Sequence, residues 1–163
     1  MSLRAVDYAR SAATVIAMTP ADLADRPSHS RHIVLVVGTA RDDDEEVVTT
    51  LLRAGFDALA VESGAATLAL MDGGAAPCVV LIDVDELPDM HALRLWDALQ
   101  RRAEASRPAS FLLSAEPIDA TTARDVDIER FLRKPVAPER LVEIVERHCP
   151  RRLFPKFTSA DER

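Results

Sequence analysis

Acidic, hydroxyl and basic side chains stand at the ends of several apolar runs in this chain. Asp83 ends the run VVLID, Ser114 ends the run FLLS, and Lys134 with Pro135 follows the short run FLR. A carboxylate after a buried strand is a common ligand for Mg²⁺, which prefers oxygen. An ammonium group beside it would neutralise negative charge. These residue types suit chemistry on an anionic group, provided that the fold brings them together.

The first apolar run, Ile33 to Val37, departs from this pattern. Gly38 and Thr39 follow it directly, and the acids arrive only at residues 42–44. Acids in the first turn of a helix are favoured by the positive end of its dipole. The sequence therefore predicts that residues 42–44 begin a helix outside any metal pocket. The alternative is that Asp42 reaches back into the pocket through a rearranged loop.

Strand and helix patterns alternate along the middle of the chain. The predicted strands cover residues 33–37, 57–62, 78–83, 110–115 and 129–135. The predicted helices cover residues 42–56, 63–74, 90–102, 119–127 and 138–148. Continuous apolar strands and short connections indicate a doubly wound, five-stranded parallel sheet of the α/β class. In such sheets the sites lie at the carboxyl ends of the central strands, where the residues named above would meet.

Composition excludes several classes of protein. The chain has 163 residues, 48% of them apolar, and a net charge of −7. An acidic protein is a poor candidate for nucleic-acid binding, which depends on lysine and arginine. No apolar run reaches the roughly 18 residues of a membrane helix, and Asp7 and Arg10 interrupt any signal-peptide core. Cys78 and Cys149 are far apart, which predicts free thiols, no disulfide framework and a cytoplasmic location.

Three regions are expected. Residues 1–31 form an N-terminal extension and linker, either frayed or partly a packing helix, and residues 32–149 form the folded domain. Residues 150–163 form a basic tail, either disordered or a docking peptide.

The ordered runs IVLVV, VVLID, FLLSA and FLRKP resemble the receiver domain of bacterial two-component response regulators, which has the flavodoxin-like fold. The resemblance covers about residues 33–149. It implies that Asp83 is the phosphoacceptor, that Ser114 and Lys134 contact the phosphoryl group, and that Pro135 follows a cis bond. It implies that Phe131 is a conformational switch residue. It also implies a histidine kinase, a phosphotransfer protein or a downstream signalling protein as partner, and a possible homodimer.

The same resemblance identifies the positions at which this chain lacks the family's two metal-binding acids. In the family, two acids directly after the first strand hold Mg²⁺, and the positions that match them are Gly38 and Thr39. The spacing needs no insertion, because Gly38 lies 17 residues before Gly55, which matches the glycine at the end of the family's first helix. Mg²⁺ is therefore doubtful, with Asp83 and Asp85 as the remaining candidate ligands.

Two further departures concern the loops. Pro88 stands five residues after Asp83, one more than is usual, and the segment between Ser114 and Lys134 is slightly short, which predicts a reduced fourth helix. Each retained residue also has a structural alternative, since Asp83 and Lys134 could simply form an ion pair.

The preferred function is an atypical receiver, not an enzyme, that acts in signal transduction through protein contacts with weak or no Mg²⁺-dependent phosphorylation. The alternative is a working phosphoacceptor at Asp83 with a metal site rebuilt from Asp42 or Asp85. A structural subunit of a larger assembly is a third possibility.

Overall fold

The computed structural model describes residues 33–38, 42–85, 87, 91–117, 119, 121, 124 and 126–149. Five parallel strands form one sheet in the order β2-β1-β3-β4-β5. The strands are β1 Ile33–Val37, β2 Asp57–Val61, β3 Val79–Asp83, β4 Ala109–Ser114 and β5 Phe131–Arg133. The helices are α1 Asp42–Arg53, α2 Gly64–Asp72, α3 Ala92–Gln100 and α4 Pro138–His148. The predicted doubly wound, flavodoxin-like α/β fold is confirmed.

The sheet is covered on both faces, which explains why its inner strands are apolar throughout. Every residue of β1 and β3 is buried, so these two strands lie inside the sheet as the sequence predicts. Helices α2 and α3 pack on one face, with Leu95 and Leu99 fully buried. Helices α1 and α4 pack on the other, through residues such as Leu51 and Val145.

Local signals in the sequence set the ends of the helices. Beyond the end of α1, Gly55 has a φ of 91°, a left-handed conformation that glycine adopts without a steric penalty. Ser63 caps α2, and its side-chain oxygen accepts a hydrogen bond from the Ala66 backbone N–H at 3.0 Å. These ends fix the length of each helix, and therefore where each following strand begins.

Cys78 and Cys149 form a disulfide bond, so the prediction of free thiols is wrong. Their Cα atoms lie 5.3 Å apart although 71 residues separate them in sequence. Cys78 directly precedes β3, and Cys149 directly follows α4. The parallel topology brings the start of β3 and the end of α4 to the same edge of the sheet. The bond joins α4 to the sheet at the edge opposite Asp83.

An aromatic and cationic cluster adjoins the disulfide. The ring of His148 contacts the ring of Phe111 edge-on, with centroids 5.2 Å apart, and the Arg130 guanidinium lies 5.0 Å from the centroid of Phe111. Burial and the positive charges of Arg130 and Arg147 lower the pKa of His148 from its ordinary value. Folding therefore favours the neutral imidazole of His148 over the charged form.

Several predictions fall outside the described residues. They concern Thr39, the side chain of Asp42, Pro88, most of the fourth helix predicted over residues 119–127, and the two end regions, 1–31 and 150–163. Among the helices that the structure describes, none is long and apolar enough to span a bilayer.

Candidate functional site

Asp83 ends β3 at the carboxyl edge of the sheet, and its side chain is buried. Only 1% of the residue is exposed. The four apolar residues before it in β3 are packed between two helical layers, so the strand holds its last residue firmly in place. Carboxylate oxygen Oδ1 accepts a hydrogen bond from the backbone N–H of Asp85 at 2.9 Å. The carboxylate is therefore oriented by its own loop as well as by the strand.

Lys134 directly follows β5, which is separated from β3 by β4, and its side chain reaches Asp83. Its ammonium group donates a hydrogen bond to Oδ2 of Asp83 and lies 3.6 Å from Oδ2 of Asp85. The Lys134 backbone N–H donates to the Ser114 carbonyl at 2.9 Å, which extends the pairing of β4 with β5. The Lys134–Pro135 peptide bond is cis, as the resemblance implies. The structure therefore brings Asp83 and Lys134 together, as expected from their places at strand ends.

The pKa of Lys134 is raised above its ordinary value of 10.5 by the surrounding carboxylates. Burial alone would lower this pKa, because it disfavours the charged ammonium. The hydrogen bond to Asp83 and the negative charges of Asp83, Asp44 and Asp85 outweigh that effect. Lys134 is therefore a permanent cation at physiological pH.

Ser114 and Asp85 lie beside Asp83 and Lys134, whereas Phe131 begins β5, three residues before Lys134. The Ser114 hydroxyl donates to the Glu116 carbonyl at 3.0 Å, so in this conformation it contacts its own loop. Oδ2 of Asp85 accepts from the Ala115 backbone N–H at 3.0 Å and thereby joins the loops that follow β3 and β4. Phe131 is half-buried and packs against the α2–α3 side of the core.

Asp44 lies inside the site, which corrects the prediction that residues 42–44 stay outside it. Helix α1 does begin at Asp42, as expected. However, Asp44 is only 2% exposed. A Cβ atom added to Gly38 would lie 2.7 Å from Oδ2 of Asp44 and 3.0 Å from Cβ of Asp83. The carboxylate of Asp44 therefore occupies the space beside Asp83 that a side chain at position 38 would fill.

A sequence signal for Asp44 existed in the helical pattern. Residues 44, 48 and 51 are spaced i, i+4 and i+7, which places them on one face of a helix. Val48 and Leu51 are buried on this face of α1, whereas the neighbouring Glu45 and Glu46 are exposed. A carboxylate on the core-facing side of a helix is removed from water and therefore requires a compensating partner. This requirement distinguishes Asp44 from an acid that caps a helix and stays exposed to solvent.

A cavity of about 380 Å³ lies between α1 and α4 beside the site. Asp44 and Lys134 line it together with Val47, Val136 and Leu141. The site is therefore bordered by open space on this side of the sheet. Within the part of the chain that the structure describes, no group of three or more His, Cys, Asp or Glu residues has the arrangement of a metal site.

Comparison with solved structures relates this fold to known proteins. The chain is similar to a chemotaxis response regulator, CheY4 of Vibrio cholerae, with a TM-score of 0.59, 24% identity, and coverage of 71% of this chain and 96% of that one. It is similar to the N-terminal domain of a response regulator/sensory box/GGDEF 3-domain protein from Carboxydothermus hydrogenoformans, with a TM-score of 0.61, 22% identity, and coverage of 72% and 93%.

A third similar structure is the signal receiver domain of a putative LuxO repressor protein from Vibrio parahaemolyticus. Its TM-score is 0.61, its identity is 21%, and the match covers 73% of this chain and 90% of that one. No family model matches the sequence, and no curated protein matches it. The chain therefore has the fold of response-regulator receiver domains.

Proposed function

We propose that this chain is a receiver module of a two-component signalling system, with Asp83 as its phosphoacceptor, that acts on its partners through protein contacts. The observation that carries the proposal is the position of Asp44 beside Asp83 and Lys134. A receiver without acids near its phosphoacceptor would have lost the means to hold a cation. Here a carboxylate supplied by α1 replaces the missing side chain in space.

The chain's own residues suit the transfer of a phosphoryl group. A carboxylate is a weak nucleophile, and it meets an anionic donor, so positive charge must offset both. An oxygen of Asp83 would form the new bond to phosphorus. The bond from phosphorus to the donor's histidine nitrogen would break, and its electron pair would stay on the imidazole, which then takes a proton. Lys134 is charged and in contact with Asp83. After the transfer, its ammonium group could therefore form an ion pair with the phosphoryl oxygens on Asp83.

The receiver fold implies a Mg²⁺ ion at this edge of the sheet. Mg²⁺ is commonly held by one or two carboxylates together with waters. The carboxylate of Asp44 and the Cβ atom of Asp83 both border the position that a Cβ atom at residue 38 would take, so Asp44 and Asp83 are the two residues that would hold the ion. The donor set therefore fits. When bound, the ion would neutralise part of the negative charge of the incoming group.

A second candidate function is that of an interaction module with weak or no phosphorylation. The observations that favour it are the burial of Asp83, which is 1% exposed, and the contact of the Ser114 hydroxyl with the Glu116 carbonyl. In this alternative the ion pair of Asp83 with Lys134 is purely structural.

Intact mass after incubation with acetyl phosphate, with and without Mg²⁺, tests the proposal. We expect one phosphoryl adduct on the wild-type chain and none on Asp83→Asn, which retains the shape of the side chain. Glu116→Gln, a change at an exposed residue near the site, should leave the adduct unchanged. Absence of the adduct, under conditions that phosphorylate an ordinary receiver, would favour the interaction module.

A further inference from the structure

A side chain at position 38 would be crowded by its neighbours, whereas the backbone conformation of Gly38 does not itself require glycine. The glycines with a positive φ in the described chain are Gly55 and Gly74, so Gly38 has a backbone that other residues adopt. What a side chain at position 38 meets is Oδ2 of Asp44 at 2.7 Å, a separation shorter than a carbon–oxygen contact tolerates. Cβ of Asp83 limits the same space from the other side, at 3.0 Å.

Asp44 reaches this space because α1 places it there. It shares the sheet-facing stripe with Val48 and Leu51, which hold the helix against the sheet. Asp44 and Lys134 line the same cavity between α1 and α4. Among the residues that the structure describes here, the carboxylates of Asp44, Asp83 and Asp85 lie at the same edge as the ammonium group of Lys134. The negative charge of these residues exceeds the positive charge, and a divalent cation would balance the excess.

We infer that Asp44 of α1 takes the place of an acid at position 38, directly after β1, where this chain has glycine. In this arrangement Asp44 and Asp83 together hold a divalent cation. The inference deepens the proposed function and rests on it for its biological meaning. The two positions exclude each other, because an acid at position 38 and the carboxylate of Asp44 need the same volume. Asp44 is thus the residue that decides whether this receiver fold retains a cation site.

Binding of Mn²⁺ to the full-length chain, measured by the electron paramagnetic resonance signal of the free ion, tests the role of Asp44. We expect one bound ion on the wild type and at least a tenfold weaker affinity for Asp44→Asn and for Asp83→Asn. Glu45→Gln is the matched control, because Glu45 is the next residue of α1 but is exposed, and its affinity should stay within twofold of the wild type. Equal affinity of Asp44→Asn and the wild type, or no bound ion on the wild type, would overturn the inference.

A swap of the two positions tests the exchange itself. Gly38→Asp alone should lower the thermal midpoint and weaken Mn²⁺ binding, since two carboxylates then compete for one space. Gly38→Asp combined with Asp44→Ala should recover both. If Asp44 has only a structural role, the double variant should not regain its affinity for Mn²⁺. If Gly38→Asp does not fold, Gly38→Ala serves instead, and its loss of thermal midpoint should largely disappear in the Asp44→Ala background. An equal loss in both backgrounds would contradict the steric argument.

These outcomes separate the inference from the proposed function. Mn²⁺ bound through Asp44, without any acetyl phosphate adduct, would keep the cation site and refute the phosphoacceptor. An adduct on Asp83 that forms equally well in Asp44→Asn and without Mg²⁺ would keep the phosphoacceptor and refute the cation site.

Discussion

Replacing Lys134 with methionine should destabilise the fold through uncompensated buried charge. The methionine retains most of the apolar stem but leaves the carboxylate of Asp83, which is 1% exposed, without its ammonium partner. Removal of one partner from a buried ion pair costs about 3–5 kcal/mol. The Lys134 side chain is 13% exposed and Asp85 is 32% exposed, so water screens part of the effect. We therefore expect a loss of about 3 kcal/mol in the free energy of unfolding at pH 7.

Urea denaturation followed by far-ultraviolet circular dichroism measures this loss. Arg133→Met is the matched control, because Arg133 is the preceding residue of β5, also carries a positive charge, and is exposed. Its effect should stay within about 0.5 kcal/mol. Both variants lose one positive charge, so a difference between them reports the environment of Lys134 and not the net charge of the chain.

The same change in an Asp83→Asn background isolates the ion pair. With the buried negative charge removed, Lys134→Met should lose about 2 kcal/mol less than it does in the wild type. A loss below about 1 kcal/mol in the wild-type background, or an equal loss in both backgrounds, would refute the claim that Lys134 stabilises the fold by compensating Asp83.

Three further predictions concern pH and redox state. Because the pKa of Lys134 is raised by folding, the stabilisation from its ion pair is complete below pH 10.5. This stabilisation is lost as the pH rises through the higher pKa of the folded state. Urea midpoints above pH 10.5 should therefore fall more for the wild type than for Lys134→Met. The lowered pKa of His148 means that stability declines as the pH falls below 6.5 towards the lower folded-state value; His148→Gln should flatten that decline in thermal melts. Reduction of the Cys78–Cys149 bond by dithiothreitol should cost about 4 kcal/mol, from the entropy of a loop of 71 residues. Cys78→Ser with Cys149→Ser should match the reduced wild type in urea and should not respond to the reductant.

Residue patterns along the chain were sufficient to predict the fold. Continuous apolar runs indicated strands covered on both faces, and they became the buried β1 and β3. Alternation of strands with helices predicted a parallel sheet, and the parallel order places every strand's carboxyl end at one edge. The meeting of Asp83 with Lys134 follows from that rule, because both stand at such ends.

Two features depended on distances that a pattern does not contain. The disulfide joins residues 78 and 149, and only the packing of α4 against the sheet brings the end of that helix to the start of β3. The pocket position of Asp44 depends on the rotation of α1 about its axis and on the gap above Gly38.

What the sequence by itself determined was the order of elements, the layers and the edge at which the polar residues meet, because these follow from local periodicity and chain connectivity. The helical pattern indicated that Asp44 shares a face with Val48 and Leu51, but only the tertiary structure decided that its carboxylate lies beside Asp83. Three consecutive aspartates begin α1, and the turn of that helix aims one of them, Asp44, at the sheet. A side chain's direction is set by how its helix packs, and helix packing depends on contacts between residues that are far apart in the chain.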